Sequence, residues 1–210
     1  MRVRVKICGL RRPEDVVAAV EAGADAIGFN FWDGSKRFLP PSEARALVAL
    51  LPPDVLPVGV FVGASPAAVA AAVETSGVRA AQLHGDEDPA LYADVPAELI
   101  QVIRLSDEGS LPTGPASPAA GLVLLDAKVP GFGGAGVSFD WTLVARARKL
   151  LERELLLAGG LTPDNVGEAV RIARPWGVDV ASGVERSPGV KDVELMRAFV
   201  AAARAAAEVA

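Results

Sequence analysis

The chain has 210 residues, 51% of them hydrophobic and 22% charged, which is the composition of a globular protein and not of a disordered one. Lys and Arg number 21 against 26 Asp and Glu, and the resulting net charge of −5 argues against a nucleic acid or an anionic membrane as the main partner. A single cysteine, Cys8, excludes an intramolecular disulfide and a cysteine-cluster metal site, and a single histidine, His84, argues against a histidine zinc site.

The first residues alternate charged and apolar, Arg2-Val3-Arg4-Val5-Lys6, which is a strand pattern and not the apolar stretch of a leader peptide. No apolar run reaches the length of a membrane span, so a soluble cytoplasmic protein is expected. The scarcity of Asn, Gln and Cys fits either a thermophilic protein or a bias toward Ala, Arg, Gly and Pro.

Short apolar, β-branched runs recur along the chain. Strands are expected at Val3–Cys8, Ala26–Phe31, Val58–Val62, Ala80–His84, Ile100–Leu105, Leu122–Asp126, Leu155–Ala158 and Val178–Ser182. Runs this apolar imply strands covered on both faces, hence a parallel sheet, and each interval has room for a crossover helix. Ser65-Pro66, Asp88-Pro89 and Thr162-Pro163 each place a capping side chain before a proline suited to the first helical turn. Apolar faces are expected at Val16, Val17 and Val20, at Ala44, Leu47, Val48 and Leu51, at Val69 and Val73, at Leu143, Val144, Ala147 and Leu151, at Val166 and Val170, and at Leu195 and Phe199.

Eight strands alternating with helices favour a single-domain α/β fold over residues 1–210, a (β/α)8 TIM barrel, with a doubly wound open sheet as the rival. Residues 106–118, rich in Pro and Gly, read as an irregular crossover after strand 5 or as a linker between two domains. The unbroken strand spacing favours the crossover.

In such a barrel the active site lies at the carboxyl ends of the strands. Cys8, Asn30, Arg37, Gly63, His84, Arg104, Asp126, Gly159-Gly160 and Ser182-Gly183 are the candidates there. A thiolate at Cys8 would serve as base or nucleophile, although a lone cysteine is commonly a small buried hydrophobe. Asp126 ends an apolar strand, and partial desolvation suits it to general-acid work, while capping the next turn is the plainer role. The loops after strands seven and eight, with Gly159-Gly160 and Ser182-Gly183, together read as the anion cradle common in this fold. Residues 131–136 contain a formal G-x-G-x-x-G, but they do not come straight off a strand. A glycine-rich lid fits them better than a dinucleotide site. Two wide intervals imply further lid-like loops at 33–41 and 127–138.

The segments Lys6-Ile7-Cys8-Gly9, Ser35-Lys36-Arg37-Phe38, Gln82-Leu83-His84-Gly85-Asp86, Leu125-Asp126, Leu157-Ala158-Gly159-Gly160 and Asp179-Val180-Ala181-Ser182-Gly183-Val184-Glu185 occur in an order that resembles the phosphoribosylanthranilate isomerase family. The resemblance runs nearly the whole chain. It implies an Amadori rearrangement of a small sugar-phosphate substrate, N-(5-phosphoribosyl)anthranilate, in tryptophan biosynthesis, with no metal and no cofactor. On matching positions Asp126 would be the general acid and Cys8 the general base. Arg37 would hold the anthranilate carboxylate. Gly160, Ser182 and Gly183, with Gly159 beside them, would hold the phosphate, and His84 and Asp179 would also bind substrate. Members are monomers or dimers, so a homodimer is compatible. The family usually has Pro before the loop-two arginine, where this chain has Lys36. The related histidine-pathway isomerase would carry Asp in place of Cys8, and indole-glycerol-phosphate synthase would need Lys and Glu at strand ends.

Overall fold

The computed structural model describes residues 2–105, 116–127 and 141–208. Eight parallel strands close into one barrel in chain order: β1 Arg4–Cys8, β2 Ala26–Asn30, β3 Leu56–Phe61, β4 Ala80–Leu83, β5 Glu98–Leu105, β6 Leu122–Ala127, β7 Leu155–Ala158 and β8 Gly177–Val180. β8 returns to β1 with Lys6 opposite Asp179. The barrel prevails over the open sheet because this last pairing leaves no edge strand.

Around it lie α1 Pro13–Ala22, α2 Pro41–Val48, α3 Pro66–Ser76, α4 Trp141–Leu151, α5 Val166–Ala173 and α6 Val193–Glu208. Ser65 caps α3 as its sequence predicts, its hydroxyl accepting from the Ala68 amide at 3.3 Å. Two expected helix starts differ. Asp88 accepts from the Ala90 amide at 3.0 Å, but Pro89–Tyr92 forms only a 3-10 turn, so no α-helix follows β4. Thr162-Pro163 lies in a turn that precedes α5. Asn165 Oδ1 accepts from the Thr162 amide at 2.8 Å, and the helix begins at Val166. On the helix faces, Val17 and Leu195 are exposed, one position off the buried stripes of Val16 and of Met196 and Phe199. The crossover expected over 106–118 falls mostly outside the described residues, as do the glycine-rich 131–136 segment and nearly all of the 127–138 loop.

Strand side chains alternate. Ile7, Ile27, Phe29, Leu83, Val123, Leu125, Leu155, Leu157 and Val178 point outward and pack under the helices in one large core. The opposite set fills the lumen with Val58, Ala80, Ile100, Leu124, Leu156 and Ala158. The same alternation carries Cys8, Gln82, Asp126 and Asp179 into a pocket at the carboxyl mouth. A short antiparallel hairpin that the sequence does not announce, β9 Glu185–Ser187 with β10 Val190–Lys191, follows β8. Among the described residues, no helix is long and apolar enough to cross a membrane.

Candidate active site

A cavity of about 400 Å³ opens at the carboxyl ends of the strands. Cys8, Arg37, His84, Asp126, Gly159, Gly160, Asp179, Ser182 and Gly183 all line it. Asn30 and Arg104 line it too. Gly63 does not. It turns the chain beyond β3 with φ +65°.

Cys8 ends β1 and is buried. Its register partner on β2 is Gly28, where any Cβ would stand 2.7 Å from the sulfur. That glycine gives the thiol its space. Beneath Cys8 on the same face of β1, Lys6 is fully buried and donates to Asp179 Oδ1 at 2.8 Å. Burial alone would lower the Lys6 ammonium, but Asp179 and Cys8 together hold it above the ordinary lysine range. Burial pushes the Cys8 thiol up, Lys6 pulls it down, Asp179 pushes it up and Lys191 pulls it down, and burial prevails. Cys8 in the free pocket is therefore a thiol with two ammonium groups placed to favour its thiolate.

Asp126, next to last in β6, lies opposite Arg104 on β5 and Ala158 on β7. Its side chain is partly exposed, and Oδ2 lies 3.5 Å from His84 Nε2. The other ring nitrogen of His84 is 2.7 Å from Gln82 Nε2. Asp126 thus faces an imidazole as well as the pocket. Arg104 donates to the His84 carbonyl and reaches Asp86 at 3.3 Å, which closes the mouth on that side.

Arg37 lies in the loop after β2 and donates twice to one carboxylate. Nε is 2.8 Å from Glu185 Oε1, and Nη2 is 2.6 Å from Oε2. Lys191, fully buried, donates to the same Oε1 at 2.8 Å and to the Ala181 carbonyl at 2.9 Å. Burial would raise the Glu185 carboxyl, but the bonds from Arg37 and Lys191 hold it below the usual carboxylate range. Two cations on one anion leave a net positive charge beside the pocket.

The anion cradle is built from two loops. Gly159 and Gly160 after β7 have φ of +95° and +67°, conformations that favour glycine. After β8, a Cβ at Gly183 would lie 1.9 Å from the Leu161 carbonyl oxygen. Only glycine lets the two loops touch, and glycine-rich loops of this kind are suited to offering backbone N–H groups to an anion. Trp32, 43% exposed, forms an apolar part of the pocket's rim.

Sequence reasoning gave no role to Glu185, Lys191, Lys6 or Gln82. Each is a polar residue that the fold buries wholly or nearly so. The signal for Lys6 and Gln82 was present in the strand alternation, two positions before Cys8 and His84. Glu185 is 148 residues from Arg37, and no local pattern links them. Among the described residues, no group of three or more His, Cys, Asp or Glu is placed to hold a metal ion.

A closed parallel barrel whose polar side chains converge at the carboxyl ends of its strands defines a (β/α)8-barrel enzyme. The family model for N-(5'-phosphoribosyl)anthranilate (PRA) isomerase matches residues 5–202. The N-(5'-phosphoribosyl)anthranilate isomerase of Myxococcus xanthus is 47% identical over 207 residues, covering 97% of each chain. Phosphoribosyl anthranilate isomerase from Thermotoga maritima superposes with a TM-score of 0.84 at 39% identity, over 97% of this chain and 99% of that one. Another solved isomerase, in complex with reduced 1-(o-carboxyphenylamino)-1-deoxyribulose 5-phosphate, superposes at 0.82 with 36% identity and the same coverage. A further Thermotoga maritima structure is of monomers made from the dimeric isomerase, with a TM-score of 0.80, 36% identity and the same coverage again. The chain belongs to the N-(5'-phosphoribosyl)anthranilate isomerase family.

Proposed function

We propose that the chain converts N-(5-phosphoribosyl)anthranilate to 1-(2-carboxyphenylamino)-1-deoxyribulose 5-phosphate, a step of tryptophan biosynthesis, with Asp126 as general acid and Cys8 as general base. The observation that carries the assignment of roles is the placement of Asp126 and Cys8 on separate walls of one mouth, with the glycine cradle on the strands between them.

In the first step, protonated Asp126 gives its proton to the furanose ring oxygen. The C1–O bond breaks as the anthranilate nitrogen lone pair forms a C1=N iminium. In the second, the Cys8 thiolate removes the C2 proton. That electron pair forms C1=C2, and the iminium π pair returns to nitrogen, which gives an enolamine. The enol proton leaves and C1 gains a proton, so C2 becomes the ketone. The iminium cation forms while Cys8 is still to act, so its charge adds to those of Lys6 and Lys191 in favouring the thiolate at the moment of need.

The cradle of Gly159, Gly160, Ser182 and Gly183 binds the phosphate through backbone N–H groups. Arg37 binds the anthranilate carboxylate with the donors that Glu185 leaves open, and Trp32 offers the aromatic ring an apolar surface. Asp179 is placed by Lys6 at the pocket floor, where its free oxygen can accept from a ribose hydroxyl. A homodimer and a cytoplasmic location belong to this reading. Sedimentation at micromolar concentration tests the first.

The test of function is the loss of fluorescence of substrate generated in situ, followed with purified protein and with EDTA present. Turnover well above the spontaneous rate supports the reading. Turnover only on the histidine-pathway substrate would replace it.

A further inference from the structure

His84 is held from both sides. Gln82 Nε2 lies 2.7 Å from its Nδ1, and its Nε2 faces Asp126 Oδ2 at 3.5 Å. Gln82 is buried at 1% exposure, and its Oε1 has no hydrogen-bond partner. An amide nitrogen can only donate, so the contact makes Nδ1 an acceptor. The proton of the neutral ring then sits on Nε2, the nitrogen on the side of Asp126. A buried carbonyl oxygen without a donor is rare. With the amide turned over, Oε1 would instead require a proton on Nδ1, and Nε2 would face Asp126 as an acceptor.

We propose that Gln82 is a positioning residue for the general acid: it fixes His84 in the Nε2–H tautomer, which donates to Asp126 Oδ2 and leaves Oδ1 to carry the proton toward substrate. This rests on Asp126 being the acid. When Oδ1 gives up its proton, negative charge develops on the carboxylate, and Nε2 stands 3.5 Å away, near enough for its N–H to turn to it. At 3.5 Å the contact is long, as hydrogen bonds of catalytic groups commonly are before substrate is bound. His84 in this reading acts through Asp126.

His84 is the only histidine in the chain, so nitrogen NMR of the labelled wild-type protein reads its tautomer without assignment. The expected signature at neutral pH is Nε2–H. In Gln82→Glu the new carboxylate accepts from the ring, the proton moves to Nδ1, and kcat falls roughly tenfold with KM within about twofold. His84→Ala lowers kcat similarly, and adding Gln82→Leu to it costs nothing further, because Gln82 works only through His84. A wild-type ring protonated on Nδ1, or fully additive losses in the double variant, overturns the proposal. Asp126→Asn in the same assay separates the two levels. If it turns over at the wild-type rate, the acid assignment fails and this proposal falls with it. If it is inactive while wild-type His84 carries its proton on Nδ1, only the tautomer proposal fails.

Discussion

Arg37 presents its Nε and Nη2 edge to Glu185, at 2.8 and 2.6 Å, and not to the pocket. A guanidinium has five N–H donors in a planar fork, and this bidentate pair engages the side-on edge. A carboxylate in the pocket must therefore meet Arg37 end-on, through Nη1 and the second Nη2 hydrogen. The clamp is rigid because Glu185 is itself held by Lys191, whose ammonium donates to the same oxygen.

Removing the shared anion should be felt in both stability and binding. Glu185→Gln keeps the shape but leaves Lys191 buried without its counter-charge. Breaking such a pair from one side costs about 3–5 kcal/mol, so the urea midpoint should fall sharply. KM should rise several-fold as Arg37 loosens, with kcat less affected. Since Glu185 is held below the usual carboxylate range, its stabilisation is present above that range. It is lost as the pH falls through the lowered value. Glu185→Gln should accordingly flatten the stability-against-pH curve below about pH 4. A variant as stable as wild type would refute the network.

The base has its own pH signature. Burial pushes the Cys8 thiol up, so most of the free enzyme holds a thiol at neutral pH. Because the reaction needs Asp126 protonated and Cys8 ionised together, kcat/KM should follow a bell with one limb reporting each group, and Cys8→Ser should abolish or move the Cys8 limb. The raised value also means that the thiol's contribution to stability is complete below the unfolded value and declines as the pH climbs toward the folded one. A kcat/KM profile in which no limb changes on Cys8→Ser would exclude Cys8 as the base.

Lys6 can be tested apart from Cys8. Lys6→Met removes one of the two cations that favour the thiolate and leaves Asp179 unpaired in the floor of the pocket. The limb of the kcat/KM profile that reports Cys8 should move to higher pH, and the urea midpoint should drop. A lower midpoint with an unmoved limb would leave Lys6 a purely structural role.

The cradle should fail by geometry. Gly183→Ala puts a methyl against the Leu161 carbonyl oxygen, 1.9 Å from the ideal Cβ position, so the two loops must part. KM should rise by about tenfold or more, and competitive inhibition by inorganic phosphate should weaken in parallel. Unchanged phosphate inhibition would place the anion site elsewhere.

The barrel was legible in the sequence because eight apolar runs with crossover-length gaps leave few topologies. Most residues that line the pocket were legible because they end strands or sit in loops just beyond them, whereas Asp179, inside β8, entered only with the family resemblance. What escaped was pairing between distant segments. Lys191 is one of five lysines and has no partner in its local sequence until the β9–β10 hairpin folds it onto Glu185. Asp88 reads as an α-helix cap, yet its side-chain bond to Ala90 closes a single 3-10 turn. At Thr162-Pro163 the side chain that organises the turn is Asn165, three residues on. Amphipathic period placed the helices but missed their exact faces at Val17 and Leu195.

The central claim is the division of labour between Asp126 and Cys8. It is tested most directly by following the decay of phosphoribosylanthranilate fluorescence with wild type, Cys8→Ser and Asp126→Asn, each shown to be folded by its far-UV spectrum. Wild type should turn over with EDTA present, and each variant should lose about 10²–10⁴ in kcat with KM little changed. An Asp126→Asn or Cys8→Ser protein that turns over at the wild-type rate would contradict it.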